Sequence, residues 1–171
     1  MPEEEKTNPR REHPNTYFVQ DRANQDELQR LHIQDQLATT GMGGVLPEQD
    51  DVTIFQRILD VACGTGGWLI EVAKTYPTAQ MLIGVDASGK MMDFAREQAR
   101  IQQVGDRTEF LAMDALLMLE FPANYFDLVN QRFAASWLRT WDWPKLLNEY
   151  RRVLRAGGVV RVSFGIRGDA P

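Results

Sequence analysis

Asp60, Asp86 and Asp114 are the residues best placed to do chemistry in this chain, because each closes or borders a short apolar run. The first run, Arg57-Ile58-Leu59-Asp60-Val61-Ala62-Cys63-Gly64-Thr65-Gly66-Gly67-Trp68, passes from a strand pattern through an acid into a glycine-rich turn. Trp68 to Thr75 then follows at helical spacing. Strand, glycine turn and helix start together form a nucleotide-type pocket. Glycines let the backbone come close to a ligand, and the free N–H groups of the helix start point at it. Asp60 sets this turn apart from a phosphate cradle. A carboxylate there repels a pyrophosphate and suits a ligand that carries a positive charge and hydroxyls, which favours S-adenosylmethionine over NAD.

Asp86 ends the run Met81-Leu82-Ile83-Gly84-Val85 and lies 20 residues after Gly66. At that spacing a carboxylate at the end of the second strand reaches a ribose diol, and its two oxygens accept both hydroxyl protons. The competing reading is a helix-opening acid, a task that Ser88 already performs. Asp114 follows Phe110-Leu111-Ala112-Met113 and precedes Ala115. It could accept a hydrogen bond from an adenine amino group, or stand as an exposed turn acid. Singly these are weak signals, and Ala62-x-Gly64-x-x-Gly67 is one methyl from a dinucleotide pattern. Together they fall in order at the ends of three successive strands, where ligands of open parallel sheets bind.

The elements that would position them alternate. Strands are expected at Ile58–Val61, Gln80–Val85, Thr108–Met113, Tyr125–Asn130 and Val159–Phe164. Helices are expected at Trp68–Thr75, from a Ser88 cap to about Gln103, and at Pro144–Leu154, with Gly157-Gly158 leading into the last strand. Strands separated by helices mean βαβ units, a parallel sheet and an α/β fold. Upstream, residues 1–14 read as a disordered tail. Thr16 to Leu37 reads as a helix with an apolar stripe of Leu28, Leu31, Leu37 and Ile33, and Thr39–Pro47 ends it. That divides the chain into a tail, an N-terminal helical segment over 15–50 and a ligand-binding domain over 51–171.

The 171 residues suffice for one domain with a core. A net charge of −5 speaks against nonspecific nucleic-acid or anionic-membrane binding. One cysteine, Cys63, permits no intramolecular disulfide, and no Cys/His cluster has metal-ligand spacing. The charged N-terminus is no signal peptide and no run reaches transmembrane length, so a cytoplasmic protein is expected.

The segment Ile54 to Phe164 resembles the class I S-adenosylmethionine-dependent methyltransferases. The likeness rests on Ile58-Leu59-Asp60-Val61-Ala62-Cys63-Gly64-Thr65-Gly66, Gly84-Val85-Asp86-Ala87-Ser88, Ala112-Met113-Asp114-Ala115, Phe126-Asp127-Leu128-Val129 and Leu154-Arg155-Ala156-Gly157-Gly158. Gln25 to His32 and Asp142-Trp143-Pro144 resemble a narrower group, the small-molecule and secondary-metabolism members. The resemblance implies a Rossmann-like three-layer sandwich with a mostly parallel sheet. It implies that Asp60 and Gly64–Gly66 hold the methionine end of S-adenosylmethionine, Asp86 the ribose, and Asp114 with Ala115 the adenine. The expected cofactor-binding set is Asp60, Ala62, Cys63, Gly64, Thr65, Gly66, Asp86, Ala87, Ser88, Met91, Asp114, Ala115 and Gln131, with no metal. It departs from the family at Ala62, which replaces the first glycine. It is also expected to depart at the chain end by lacking strands 6 and 7, either as a fragment or truncated product or because a second copy or another partner completes the sheet, whose open edge would invite association.

The family chemistry is in-line attack of a nucleophile on a sulfonium methyl, which asks the protein mainly for alignment. The sequence names no catalytic base. His32 reads as a surface or interface histidine. Asn130-Gln131-Arg132-Phe133 lacks the Pro-Pro-aromatic signature of DNA amino methylation, which argues against a nucleic-acid base as substrate; a small-molecule acceptor is what the resemblance implies. Trp137, Trp141 and Trp143 could stack on a flat acceptor or pack a helix on the sheet. Tyr17 and Phe18 could close a lid. Met91, Met92, Met113 and Met118 read as core filler, and Arg151, Arg152 and Arg155 as a solvated helix end. The alternatives are a non-catalytic S-adenosylmethionine-binding or regulatory module and an NAD-type oxidoreductase.

Overall fold

The computed structural model describes residues 24–134 and 137–164. The tail and the Tyr17–Phe18 lid expectation lie outside the described residues. Five strands, β1 (Arg57–Val61), β2 (Met81–Asp86), β3 (Thr108–Ala112), β4 (Phe126–Arg132) and β5 (Leu154–Ser163), form one sheet in the order β3-β2-β1-β4-β5. Every pairing is parallel. Helices α1 (Gln25–Gly41), α2 (Gly67–Thr75), α3 (Gly89–Ile101) and α4 (Trp143–Val153) complete the expected α/β sandwich.

Alternation along the strands sends successive side chains to opposite faces. Ile58, Leu82, Phe110 and Leu128 meet Trp68, Leu69, Met92 and Ala95 from α2 and α3, and Leu28 of α1 joins the same cluster. On the other face Leu59, Val61, Val85 and Val129 meet Leu146, Tyr150 and Val153 of α4. Trp68 is buried and its indole N–H donates to the Val45 carbonyl at 2.9 Å. This bond ties the segment after α1 into the core.

Several expectations are corrected. α1 begins at Gln25 behind an Asn24 cap whose side chain accepts from the Asp26 N–H, and it runs to Gly41. Only half of the expected apolar stripe faces the core: Leu28 is buried and Leu31 packs against the same cluster, whereas Ile33 and Leu37 are exposed. His32 and Thr39 are buried beside Leu28 in their place. Leu28 enters the apolar cluster, His32 meets Thr65 and the Phe94 ring, and Asp35 and Thr39 meet Arg132 at the end of β4, so the inward face of α1 is apolar at one end and polar at the other. His32 is thus buried where α1 meets the glycine turn, which agrees with the interface half of its reading. β4 runs two residues beyond Asn130, so Gln131 and Arg132 are strand residues paired with Val162 and Ser163. β5 starts at Leu154, before the two glycines. Gly157 (φ 77°) lies in an irregular stretch where Phe126 pairs with Leu154 but Leu128 pairs with Val159.

Met92 is fully buried, whereas Met118 is exposed on the loop after β3 and fills no core. The arginine cluster is only partly a solvated helix end. Arg152 pairs with Glu149 and donates to the Leu119 and Phe121 carbonyls, fastening that loop to α4. Arg155 pairs with Asp127, which also accepts the Gln56 and Arg57 N–H groups at 2.8 Å. These bonds lock the start of β1 beside β4.

Candidate functional site

β1, β2 and β3 deliver Asp60, Asp86 and Asp114 to the carboxyl end of the sheet, and the turn from β1 to α2 lies between the first two. Cys63 N–H donates to the Val85 carbonyl, and Gly66 N–H to the Cys63 carbonyl, both at 3.0 Å. Three residues of the turn have positive φ: Ala62 (55°), Gly64 (56°) and Gly66 (75°). Gly66 is required for a second reason. A Cβ there would come within 2.6 Å of Phe110 Cε1 and 3.0 Å of Ala95 Cβ. Phe110 underlies the turn, and a side chain at 66 would lift the backbone off it.

Asp86 holds the turn from β2. One carboxylate oxygen accepts the Gly64 N–H at 3.1 Å and the other the Ser88 N–H at 2.9 Å. Ser88 in turn caps α3 by accepting the Met91 N–H at 3.3 Å. Asp86 therefore shapes the turn and, through Ser88, the start of α3. Met91 is buried under Gly64, its sulfur 3.8 Å from where a Cβ at Gly64 would lie. Ala87 is exposed and Ala115 buried. Asp114 is exposed and accepts the Leu116 N–H at 2.9 Å, so it is a turn acid at the end of β3 as well as a candidate ligand.

Asp60 is in a different environment. It is buried, and Asn130 Nδ2 donates to its Oδ1 at 2.7 Å across the β1–β4 pair. Burial drives its carboxyl up to about 7, against the pull of the Arg132 guanidinium, the Asn130 hydrogen bond and the Arg161 guanidinium. Cys63 is pushed up by burial and by the nearby Asp60 and Asp86 carboxylates, an environment that favours the thiol over the thiolate.

Around Asp60 the structure gathers residues that the sequence reading missed. Arg132, nearly buried, forms an ion pair with Asp35 of α1 and donates to Thr39 Oγ1 at 3.0 Å. Arg161 donates to Asn130 Oδ1 at 2.9 Å and to Glu48 Oε1 at 2.7 Å. His32 Nδ1 lies 3.3 Å from Thr65 Oγ1, and burial pushes its pKa down. A Cβ on Gly67 would overlap Asp35 Oδ2, so the glycine admits α1 onto the start of α2. The available signal was Asn130-Gln131-Arg132, three polar residues closing a strand that is buried throughout.

Gln131 is the expected site residue that the structure sets apart. Its register partner is Val61, so its side chain projects to the α4 face, away from Asp60 and Asn130. It is fully buried, and neither amide atom has a hydrogen-bond partner among the described residues. The tryptophans divide: Trp137 and Trp143 pack against the α4-side core, and Trp141 is exposed with Arg139 over its ring at 5.5 Å.

The donor set suits S-adenosylmethionine. Asp60 offers a buried carboxylate to a cation, the glycine turn has no side chain where a ligand would press on the backbone, and Asp86 offers a carboxylate to a diol. Among the described residues no group of three His, Cys, Asp or Glu side chains could hold a metal.

Comparison with known proteins agrees with this geometry. Residues 58–158 match the family described as a methyltransferase domain. The demethylmenaquinone methyltransferase of Lactiplantibacillus plantarum is 38% identical over 101 residues, 59% of this chain and 41% of that protein. Phosphoethanolamine N-methyltransferase 1 of Triticum aestivum is 33% identical over 113 residues, 66% of this chain and 21% of that protein. The chain thus spans about two fifths or less of these relatives. Among solved structures, the [4+2]-cyclase SpnF superposes with TM-score 0.60 at 27% identity, over 83% of this chain and 47% of that one. An S-adenosylmethionine-dependent methyltransferase from Aquifex aeolicus shares the fold with TM-score 0.67 at 18% identity, over 85% and 77%. With its acids and glycine turn placed at the ends of successive parallel strands, the chain belongs to the class I S-adenosylmethionine-dependent methyltransferase family.

Proposed function

We propose that the chain binds S-adenosylmethionine and transfers its methyl group to a small-molecule acceptor. The observation that carries this reading is the ordered placement of Asp60, the Gly64–Gly66 turn, Asp86 and Asp114 at the carboxyl ends of β1, β2 and β3. In the proposed arrangement Asp60 faces the ammonium of the methionine end, Asp86 the ribose hydroxyls, and Asp114 with Ala115 the adenine. Ala62, Cys63, Thr65, Ala87, Ser88 and Met91 line the turn and the first turn of α3. When bound, the cofactor supplies a methyl already activated on a positively charged sulfur. The protein's part is then alignment and exclusion of water.

The small-molecule acceptor draws support from relatives named for such substrates, demethylmenaquinone and geranyl diphosphate methyltransferases. Exposed Trp141, at the carboxyl end of the sheet just before α4, offers a flat apolar surface beside that acceptor. No helix among the described residues is long and apolar enough to cross a membrane.

Calorimetric titration with S-adenosylmethionine, S-adenosylhomocysteine and NAD tests the cofactor assignment. Binding of both adenosyl compounds at about micromolar Kd, and none of NAD, is expected. Transfer of isotope from methyl-labelled cofactor to a small-molecule fraction tests turnover. A second reading, cofactor binding without methyl transfer, is favoured by the structural likeness to a cyclase. Binding without any label transfer would establish that reading instead.

A further inference from the structure

Asp60 does not stand alone on β1. Its Oδ1 receives the Asn130 Nδ2–H at 2.7 Å, and Asn130 Oδ1 receives Arg161 Nη1–H at 2.9 Å. Arg161 Nε–H then donates to Glu48 at 2.7 Å. The chain Glu48–Arg161–Asn130–Asp60 thus runs from the segment after α1 through β5 and β4 to β1. Asn130 is fully buried and the Arg161 side chain nearly so, lying 5.9 Å over the Trp68 ring.

The chemistry of these groups fixes the direction of the chain. A guanidinium has only donors, so the Asn130 carbonyl oxygen must face Arg161. The carboxamide cannot then turn that oxygen to Asp60. What Asp60 meets is an N–H donor; both forms of the acid can accept it, but the carboxylate accepts it more strongly, so the contact favours the ionised form. From this the geometry assigns Asn130 and Arg161 as positioning residues. Arg161 locks the Asn130 amide, and the locked amide favours the ionised form of Asp60 against its burial and aims it at the cationic amino-acid end of the cofactor. This rests on the proposed role of Asp60 and adds residues that make no contact with the cofactor themselves.

Other charged groups also face Asp60, and each bears on its titration. Asp35 of α1 opposes ionisation, and Arg132 of β4 and Arg161 of β5 favour it. Tyr150 of α4 and Cys63 of the turn also face Asp60; burial first, and the Asp60 charge after it, raises both. Against that background burial is the dominant force on the acid. One buried guanidinium acting through one amide is well placed to tip its protonation.

The test is titration of the full chain and of Arg161→Met with S-adenosylhomocysteine and with 5′-methylthioadenosine, between about pH 5.5 and about pH 8.5. S-adenosylhomocysteine carries the ammonium without a sulfonium, and 5′-methylthioadenosine lacks the amino-acid end altogether. In Arg161→Met, S-adenosylhomocysteine is expected to bind roughly tenfold more weakly near neutral pH, with the pH midpoint of binding displaced upward by about one unit. Binding of 5′-methylthioadenosine should be unchanged, and Arg161→Lys should recover most of the loss. Equal losses for both ligands would mean a merely structural arginine, and an unmoved pH profile would mean no link to Asp60; either overturns the assignment. A wild-type chain that binds neither compound overturns the cofactor reading itself, and this assignment with it.

Discussion

Asp35 on α1 and Arg132 at the end of β4 form an ion pair across 97 residues of sequence, joining the N-terminal helix to the strand beside Asp60. The Arg132 side chain is 7% exposed and that of Asp35 19%, so both have given up most of their water. Burial nevertheless drives the Asp35 carboxyl up despite Arg132 and the Trp68 N–H, which shows that desolvation exceeds the attraction. A pair of this kind stabilises little relative to apolar residues, yet is costly to break from one side. Arg132→Met is expected to cost about 3 kcal/mol, because it strands the buried acid. Asp35→Leu with Arg132→Met should recover a large part of that loss. Urea denaturation of both single variants and the double checks the cycle, and additive losses would contradict the argument.

Ala62 holds φ 55° where the family has glycine. An L-residue in the left-handed region costs about 1–2 kcal/mol, and replacing it by glycine returns about 0.4–1 kcal/mol to the unfolded chain. The difference favours Ala62→Gly by about 0.5–1 kcal/mol. In a chain of this size that is a rise in Tm of about 2–3 °C, read by thermal denaturation. Cofactor affinity should be unchanged, since the turn keeps its conformation.

Asp60 gives the free protein a definite pH dependence. Its folded value of about 7 lies above the ordinary 3.8, so between these values the folded chain holds a proton that the unfolded chain has released. Stability therefore falls as pH rises from about 4 to about 7. Cofactor affinity should move oppositely, rising toward neutral pH as Asp60 gains the charge that an ammonium needs. Asp60→Asn should flatten both profiles and leave stability above pH 7 no lower than wild type. Stability measured by denaturant at several pH values, with parallel titrations of S-adenosylhomocysteine, reads both slopes.

The strands were legible because apolar runs end in acids and glycines, and their order along the chain gives the parallel sheet directly. β1, β2 and the Asp86 and Asp114 positions needed nothing more than that pattern. The polar network needed tertiary information. Whether Arg132 belongs to β4 depends on two extra ladder residues that Val162 and Ser163 supply. Periodicity weighted Ile33 and Leu37 with the inner face of α1 because hydropathy cannot register a helix that buries His32 against Thr65 and Phe94 and Thr39 against Arg132. Arg161 was invisible for the same reason: an arginine in an edge strand reads as solvated until Asn130 and Glu48 are placed around it.

Asp86→Asn separates shaping the turn from binding the cofactor. The carboxylate holds the Gly64 and Ser88 N–H groups. Asparagine keeps one oxygen for the Ser88 N–H but presents N–H donors elsewhere. Affinity for S-adenosylhomocysteine should fall by about 1–3 kcal/mol, the value of a charge-assisted acceptor. Adenine alone, which lacks the ribose, should lose far less affinity. Unchanged affinity for S-adenosylhomocysteine would remove Asp86 from the ribose site.

Gln131 sets stability against binding. Its amide is fully buried with neither atom bonded among the described residues, and the nearby core contains Tyr150, whose hydroxyl is likewise unbonded there. An unsatisfied buried polar group costs about 1–3 kcal/mol. Methionine has a similar length and asks for no partner, so Gln131→Met should stabilise the free protein by about 1 kcal/mol. If the amide is retained for a ligand, the same change should weaken cofactor or acceptor binding severalfold. A variant that is more stable and binds unchanged would place Gln131 outside the site, and one that is less stable would mean that a bound water satisfies the amide in solution. Denaturation and titration on the same preparation distinguish the three.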